Sequence, residues 1–262
     1  MNHYEGSSNN WQTPTQIPIL KDERVHLWRA HLDLSVAEIE YLSATLSAEE
    51  IARANKFKFP RDRRRFIAAR GILRQLLGSY LQLNPKRVEF GYGDRGKPFL
   101  LDSLGNSSVQ FNVSHSHEYA LLGFSFNQPI GVDIEYLRPM PDALQIAQRF
   151  FSQREFDLLN NVAPDRQKQL FFLLWTAKEA YLKALGVGLS GMLDNVEVTF
   201  NTIQIPCRPS IERDRTLLSN WSLYSCIPVT DYLAAIAVEM CFTPLQIDFW
   251  HWDSKRLKTI SN

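Results

Sequence analysis

The feature that most constrains the fold is a change of periodicity that occurs twice along the chain. Over 61–83 apolar residues recur at helical spacing, and after Asn84-Pro85 short alternating segments follow, separated by Gly and Pro. Helical spacing returns over 142–160 and 166–185 and then gives way to a second set of strand-like segments. This repeated order of helix then strands predicts an α+β fold whose two halves meet near Gln128-Pro129.

The predicted organisation is an N-terminal half over 23–128 and a C-terminal half over 129–262. Residues 1–22 are rich in Asn, Ser, Gln and Pro and show little apolar periodicity, which predicts a flexible or loosely strapped arm. A chain of 262 residues is long enough to bury a sizeable core in both halves.

The net charge and the cysteines limit which partners and which cellular compartment the sequence suggests. Lys and Arg number 29 and Asp and Glu 28, so the net charge of +1 provides no global field toward nucleic acid or membrane. The three cysteines lie far apart without a C-x-x-C pair, and the N-terminus lacks the basic and apolar regions of a signal peptide. We therefore expect a cytoplasmic protein without a membrane segment.

One local segment is strongly basic. Residues 53–74 contain nine Lys and Arg against the single acid Asp62. Such a segment fits a solvated helix face, a nucleic-acid patch or a site for a small polyphosphate, because arginine forks bind phosphate well. The segment alone leaves these three readings open.

Two acidic residues lie two apart on a predicted strand. In the segment 129–135, Asp133 and Glu135 alternate with Val132 and Ile134, so both carboxylates project from one side. The pattern fits a polar strand edge facing solvent. It also fits half of a site for Mg²⁺, which takes one or two carboxylates and leaves other positions to phosphate and water.

A charged pair lies on the last predicted helix. Glu179 and Lys183 are four residues apart and share a helix face, which is typical of a surface ion pair. The surrounding segment is dense in apolar and aromatic residues, so we expect this helix to be packed on much of its circumference. Charges on such a helix need a partner or a chemical role.

The segment 111–117 predicts a strand that runs into a hairpin turn. His115 and His117 are candidate metal ligands, but no third nitrogen or sulfur ligand is evident nearby. We favour a polar turn that presents Ser114 and His115 to a ligand phosphate.

The pattern G-x-G-x-x-G occurs over 91–96 and again over 186–191. A dinucleotide site requires these glycines between a strand and the start of a helix. The first copy is followed by a strand and the second follows a helix, so both are predicted to be turns.

Taken together, four stretches resemble the Sfp-type 4′-phosphopantetheinyl transferases, which convert apo carrier proteins to their holo form. Each stretch is weak alone, and their combination in this order is specific; they are 96–98, 111–116, 131–135 and 175–186. The similarity extends over about 46–239. It implies a pseudo-dimeric fold of two similar α/β halves in one monomer, with coenzyme A in the cleft between them.

The resemblance also assigns roles to individual residues. Asp133, Glu135 and Glu179 match the ligands of Mg²⁺, for which Mn²⁺ is the alternative. The positions that match contacts to coenzyme A and its phosphates are Arg53, Arg65, Lys97, Pro98, Ser114, His115 and Lys183. A basic residue common in the family three positions before Arg53 is Glu50 here, and neighbouring Lys56 or Arg64 could replace it.

The implied reaction transfers 4′-phosphopantetheine from coenzyme A to a serine hydroxyl of an apo acyl or peptidyl carrier protein, releasing adenosine 3′,5′-bisphosphate. Asp133, Glu179 and Lys183 would be catalytic, with either Glu179 or a metal-bound water accepting the serine proton. The carrier protein could belong to fatty-acid, polyketide, nonribosomal peptide or lysine-pathway synthesis.

Two other classes stay open. One is a non-catalytic module that binds coenzyme A or a nucleotide, and the other is a nucleic-acid-binding protein that uses residues 53–74. The enzyme reading predicts neither a nucleic-acid nor a membrane partner.

Overall fold

The computed structural model describes residues 10–101, 108–188, 193, 196–200, 204–213, 216–239 and 245–255. The elements of the first half are strand β1 (Arg24–His31), helices α1 (Val36–Ser43), α2 (Ala48–Ala54) and α3 (Pro60–Leu81), and strands β2 (Phe90–Tyr92), β3 (Pro98–Leu100), β4 (Val109–Ser116) and β5 (Tyr119–Phe126). Those of the second half are strand β6 (Ile130–Tyr136), helices α4 (Ala143–Phe150), α5 (Gln153–Asn161) and α6 (Pro164–Leu185), and strands β7 (Val196–Thr199), β8 (Ser210–Arg213), β9 (Thr216–Leu217), β10 (Trp221–Cys226), β11 (Tyr232–Glu239) and β12 (Gln246–His251).

The two halves repeat one order of elements. Each begins with a strand, continues with two short helices and one 22-residue helix, and ends in an antiparallel hairpin, β4-β5 or β10-β11. In each half the initial strand pairs antiparallel with the last strand of that hairpin. The predicted α+β fold of two similar halves is therefore confirmed, with an initial strand in the first half that the periodicity did not indicate.

The halves pack sheet against sheet. The first sheet has the order β12-β1-β5-β4 and the second the order β10-β11-β6. Helix α3 packs on one face of the first sheet and α6 on one face of the second. A third apolar cluster, which includes Leu27, Leu121, Val132 and Ile236, fills the space between the two sheets. The layers are thus helix, sheet, sheet and helix.

The long helices are held by matching ion pairs. Both α3 and α6 begin with a proline, and each follows a short helix whose capping box contains a glutamate at N3. In the first half that glutamate, Glu50, accepts from Arg74 Nε at 2.6 Å. In the second half Glu155 accepts from Lys178, whose side chain is fully buried. These pairs fix each long helix against the short helix before it.

The contact between β6 and α6 is unusually close. A Cβ at Gly131 would lie 2.0 Å from the carbonyl oxygen of Ala180 and 2.4 Å from the backbone nitrogen of Ala184. Only glycine allows this approach, since the neighbouring atoms belong to the helix backbone. The contact brings the carboxylates of β6 beside the last turns of α6.

The terminal segments cross between the halves. Strand β12 pairs in parallel with β1, so the last strand lies in the first sheet although the predicted division at 128/129 assigned it to the second half. Gln12, within the predicted arm, bonds to β12 on both sides: its N–H donates to Phe249 and its carbonyl accepts from His251. The arm is therefore held against this edge at Trp11 and Gln12, and residues 1–9 lie outside the described residues.

The first glycine pattern forms a turn, as predicted, and so does the described start of the second, residues 186–188. Gly96 adopts a φ of 80° in the β2–β3 turn, and Gly186 ends α6 with a φ of 73°. Gly191, the last residue of the second pattern, lies outside the described residues. No helix in the described ranges is long and apolar enough to cross a membrane.

Candidate active site

Strand β6 presents two carboxylates to β4. Asp133 is 3% exposed, and its Oδ1 accepts from the hydroxyl of Ser114 at 2.9 Å. Glu135 is half-buried, and its Oε2 accepts from the hydroxyl of Ser116 at 2.9 Å. The period of two on both strands explains why Ser114 faces Asp133 and Ser116 faces Glu135. Both carboxylates lie between β6 and β4 and bond to serines of β4. The interpretation of Asp133 and Glu135 as a polar strand edge facing solvent is therefore wrong.

Helix α6 adds a third carboxylate and an ammonium group. Glu179 is buried on this helix, and Lys183 lies one turn further along. The Lys183 Nζ donates to Asp133 Oδ1 at 2.5 Å and to Ser114 Oγ at 3.0 Å. Lys183 thus bridges β4 and β6, and the reading of Glu179 and Lys183 as a surface ion pair is wrong.

Burial and mutual repulsion raise the pKa values of two carboxyl groups. Burial, with a further contribution from the charge of Asp133, raises the pKa of Glu179 to about 7 against the opposing effect of Lys183. Burial and then Asp133 also raise the pKa of Glu135. Loss of solvent alone would lower the pKa of Lys183, but Asp133 and Glu179 outweigh it and the pKa is raised. The site therefore concentrates negative charge around one ammonium group.

The three carboxylates fit a divalent cation, although they do not form a ready-made cage. In the described part of the chain no group of three or more His, Cys, Asp or Glu side chains could by itself hold a metal ion. The Oδ2 atom of Asp133, however, is buried and has no hydrogen-bond partner among the described residues. A buried anionic oxygen without a donor, next to two carboxyl groups with raised pKa values, has the chemistry of a hard-cation ligand.

A cavity of about 350 Å³ lies between α2, α3, the β2–β3 hairpin and β4. Three predicted contacts to coenzyme A line it, namely Arg53, Pro98 and His115. The Arg53 guanidinium stands 5.6 Å from the centroid of the Phe66 ring and makes no ion pair within the described ranges. The His115 side chain is exposed at the mouth of this cleft. Partial loss of solvent around its ring lowers the pKa of His115, and the charges of Lys183 and Arg65 lower it further.

A second cavity of about 310 Å³ shares His115 and Phe66 with the first and includes Arg65 and His117. Arg65 is already engaged, because its Nε and Nη2 donate to the two oxygens of Asp33 at 2.7 and 2.6 Å. His115 and His117 therefore face a basic cleft, and His117 also packs against Tyr136 with ring centroids 4.6 Å apart.

Lys97 lines neither of these two cavities, although the next residue, Pro98, lines the first. Its Nζ donates to the carbonyl oxygens of Ala184 at 2.7 Å and Ile130 at 3.3 Å, at the crossing of α6 and β6. Of the predicted contacts, the structure thus joins Ser114, Asp133 and Lys183 directly and groups Arg53, Pro98 and His115 around one cavity.

Sequence reasoning missed the partner of Glu50. The Oε1 atom of Glu50 accepts from Arg70 Nε at 2.5 Å, and Arg70 also donates to the Tyr92 hydroxyl at 2.7 Å. Arg70 and Tyr92 both line the first cavity, whereas Arg64 lines a separate groove beside α1. From the sequence, Arg70 was only one of the nine cations in the basic segment 53–74. Its ion pair with Glu50 could not be predicted, because that pair depends on how α2 packs on α3.

Comparison with known proteins agrees with the two-half architecture. Residues 31–126 match the family model described as 4′-phosphopantetheinyl transferase, N-terminal, and residues 129–237 match that of the 4′-phosphopantetheinyl transferase superfamily. The 4′-phosphopantetheinyl transferase HetI of Nostoc sp. is 44% identical over 240 residues, which cover 91% of this chain and 96% of that protein.

Two more distant proteins are also similar. The 4′-phosphopantetheinyl transferase Sfp of Bacillus subtilis is 33% identical over 165 residues, covering 63% of this chain and 71% of that protein. The crystal structure of a holo-(acyl-carrier-protein) synthase from Bacillus anthracis, in complex with coenzyme A (3′,5′-ADP), covers 42% of this chain and 93% of its own, with 22% identity and a TM-score of 0.34. That overall similarity is too low for a comparison of positions.

Proposed function

The chain belongs to the 4′-phosphopantetheinyl transferase superfamily, and from this premise we propose that it transfers 4′-phosphopantetheine from coenzyme A to a serine hydroxyl of an apo acyl or peptidyl carrier protein. The observation that supports this best is the meeting of Asp133, Lys183 and Ser114 beside the cavity that His115 lines. Within the described part of the chain, the buried Asp133 Oδ2 has no hydrogen-bond partner.

Asp133, Glu135 and Glu179 are the residues that would hold a divalent cation, Mg²⁺ in the first place and Mn²⁺ as the alternative. When bound, the cation supplies positive charge that neutralises the diphosphate of coenzyme A and the leaving nucleotide. The buried Asp133 Oδ2 and the raised pKa values of Glu135 and Glu179 support this assignment.

Glu179 is the proposed general base. The serine oxygen of the carrier protein attacks the β-phosphorus, and the bond between that phosphorus and the oxygen bridging to the α-phosphate breaks. The Glu179 carboxylate, buried on α6 near Asp133, accepts the serine proton. Adenosine 3′,5′-bisphosphate leaves with the bridging oxygen and its electron pair.

Lys183 is the proposed stabiliser of the leaving group. Its ammonium group is half-buried beside Asp133, which raises its pKa above the ordinary lysine value, so it is charged at neutral pH. A fixed positive charge at the site of developing negative charge stabilises the transition state more than the bound substrate. Ser114, which accepts from Lys183 Nζ, orients this ammonium group.

The cavity lined by Arg53, His115 and Pro98 is the proposed site of the nucleotide part of coenzyme A. Arg53 offers a guanidinium fork that makes no ion pair with the described residues, and Arg70 is positioned in the same cavity by Glu50 and Tyr92. Charged forks of this kind recognise phosphate groups. Lys97 and Arg65 are engaged with protein oxygens in this structure, which makes them weaker candidates for this contact.

The decisive experiment is mass spectrometry of an apo carrier protein incubated with this protein, coenzyme A and Mg²⁺. We expect a mass gain of one phosphopantetheine group, and no gain with chelator or with a carrier whose acceptor serine is replaced by alanine. Tight binding of coenzyme A with no gain for any apo carrier tested would indicate a non-catalytic binding module. Monomeric state, cytoplasmic location and the identity of the carrier remain predictions.

A further inference from the structure

The ammonium group of Lys97 joins the two elements that contain the carboxylates of the site. Its donation to Ala184 reaches the last turn of α6, next to Lys183. Its donation to Ile130 reaches the first residue of β6, the strand of Asp133. Lys97 itself belongs to the β2–β3 turn of the first half, so one side chain connects three segments.

The carbonyl of Ala184 needs such a partner. The last four carbonyl groups of an α-helix have no donor within the helix. At the end of α6 the Gly186 N–H donates to Leu182 and Lys183, which leaves Ala184 to Lys97. A cation at this place also interacts favourably with the negative end of the helix dipole.

The surroundings are shaped to fit the Lys97 side chain. A Cβ at Gly186 would lie 3.3 Å from Lys97 Cδ, so the glycine that ends α6 leaves room for the aliphatic part. Burial lowers the pKa of Lys97 to about 8. The hydrogen bonds to the two carbonyl groups therefore replace the hydration that the Lys97 ammonium group loses on burial, and they hold the side chain in place.

We propose that Lys97 is a positioning residue that sets the spacing between α6 and β6, and thereby the distance of Glu179 from Asp133 and Glu135. This differs from the direct contact to coenzyme A that the family resemblance implies for Lys97. This proposal rests on the proposed function, because that function identifies the cation site. The main test of the proposal measures metal binding and does not require transfer activity.

The test compares Lys97→Met with wild type in Mn²⁺ binding, measured by electron paramagnetic resonance of free Mn²⁺ with saturating coenzyme A and no carrier protein. We expect Mn²⁺ affinity to fall about 10-fold, the lower end of the effect of removing groups that orient metal ligands. Lys97→Arg should recover most of this affinity, because arginine also donates to terminal helix carbonyls. Lys86→Met, in an exposed turn, serves as the matched control and should bind like wild type.

A second measurement separates positioning from phosphate contact. Calorimetric titration with coenzyme A in the presence of chelator should give affinities for Lys97→Met and wild type that agree within about twofold, since no phosphate contact is lost. In the transfer assay kcat should fall while KM for coenzyme A stays close to wild type. Circular dichroism melting shows whether each variant is folded. If Lys97→Met does not fold, Lys97→Arg is compared with wild type in its place.

Two outcomes overturn the proposal. The first is unchanged Mn²⁺ affinity in Lys97→Met, and the second is a loss of metal-free coenzyme A affinity as large as the loss of Mn²⁺ affinity. A wild-type protein that does not bind Mn²⁺ at all instead contradicts the cation site of the proposed function. The two failures are thus distinguished by the wild-type titration.

Discussion

Gln75 occupies on α3 the position that Glu179 occupies on α6, at the same distance from the N-terminal proline of a 22-residue helix. The residue before each is a buried cation, Arg74 or Lys178, paired with the capping-box glutamate of the preceding short helix. The halves therefore share the pair that orients the long helix but differ in the next side chain. A neutral amide cannot replace an anionic oxygen, so the chain builds one site at a seam where its fold offers two related positions.

The first prediction concerns that difference. Glu179→Gln keeps the shape of the side chain but removes its charge, and we expect kcat to fall by at least about 10²-fold, the lower end for loss of a general base. The melting temperature should be unchanged or higher, because a neutral amide avoids burying charge near Asp133. Steady-state transfer to an apo carrier protein and thermal unfolding measure both. Gln75→Met is the control and should keep kcat per folded molecule; wild-type turnover in Glu179→Gln would exclude a catalytic role.

A second prediction follows from the close contact of β6 with α6. Gly131→Ala would place a methyl group 2.0 Å from the Ala180 carbonyl oxygen, so helix and strand must separate. Overpacking of this kind destabilises by about 1 to 3 kcal/mol or more, and here it also moves Glu179 away from Asp133. We expect lower stability in urea unfolding and strongly reduced transfer by the folded fraction. Gly93→Ala is the matched control, since its nearest neighbour would be 3.8 Å away; equal behaviour of the two variants would refute the argument.

A third prediction concerns stability at low pH. His26 is 1% exposed, and its Nδ1 lies 2.8 Å from the Tyr80 hydroxyl, which accepts from Trp28 Nε1. Burial, opposed by the charge of Asp248, lowers the pKa of His26 to about 4 from an ordinary 6.5. The unfolded chain therefore binds a proton that the folded chain excludes. The contribution of His26 is present above about pH 6.5 and is lost as pH falls through 4, by roughly 3 kcal/mol in all.

The measurement is the free energy of unfolding by urea at several pH values between 7 and 4. In His26→Gln the decrease over this range should be smaller than in wild type by about the His26 contribution. Carboxyl groups that titrate in the same range affect both proteins alike, so the difference isolates His26. Parallel curves for the two proteins would contradict the prediction, because they would show that the pKa of His26 is the same in the folded and unfolded states.

The sequence was sufficient to predict elements whose pattern is local. The long helices, the β4-β5 hairpin and the shared side of Asp133 and Glu135 follow from periods of 3.6 and 2. Strand β1 was missed because it is buried on both faces, so apolar and polar residues do not alternate, and His26 is polar yet internal. Strand β12 was missed because its pairing partner, β1, lies at the other end of the chain.

The site was predictable to a similar extent. Residue types and spacing made the carboxylates, Lys183 and Ser114 candidates, and the family resemblance assigned them to one site, but neither predicted which atoms meet. The bond of Lys183 to Asp133 instead of Glu179, the pairing of Arg70 with Glu50 and the position of Lys97 all depend on contacts between elements distant in sequence. Such contacts are set by packing of the halves and leave no periodic signal.

The last prediction tests which cations recognise the 3′-phosphate of coenzyme A. Arg53 faces the first cavity without an ion pair in the described residues, whereas Arg65 is held by both oxygens of Asp33. A hydrogen bond to a charged group contributes roughly 1.5 to 3 kcal/mol. We therefore expect Arg53→Ala to lower kcat/KM for coenzyme A by about 10-fold or more and to reduce its preference over dephospho-coenzyme A.

The comparison of kcat/KM for the two donors should separate direct from indirect contacts. His115→Ala should resemble Arg53→Ala, because His115 lines both cavities of the cleft. Arg65→Ala should change the preference between donors less, since its fork already binds Asp33, and Lys86→Ala should not change it. If all these variants discriminate between the donors as wild type does, Arg53 and His115 are not in the phosphate site. If only Arg65→Ala loses discrimination, Arg65 must exchange Asp33 for the nucleotide on binding, and the cavity beside His117 becomes the nucleotide site.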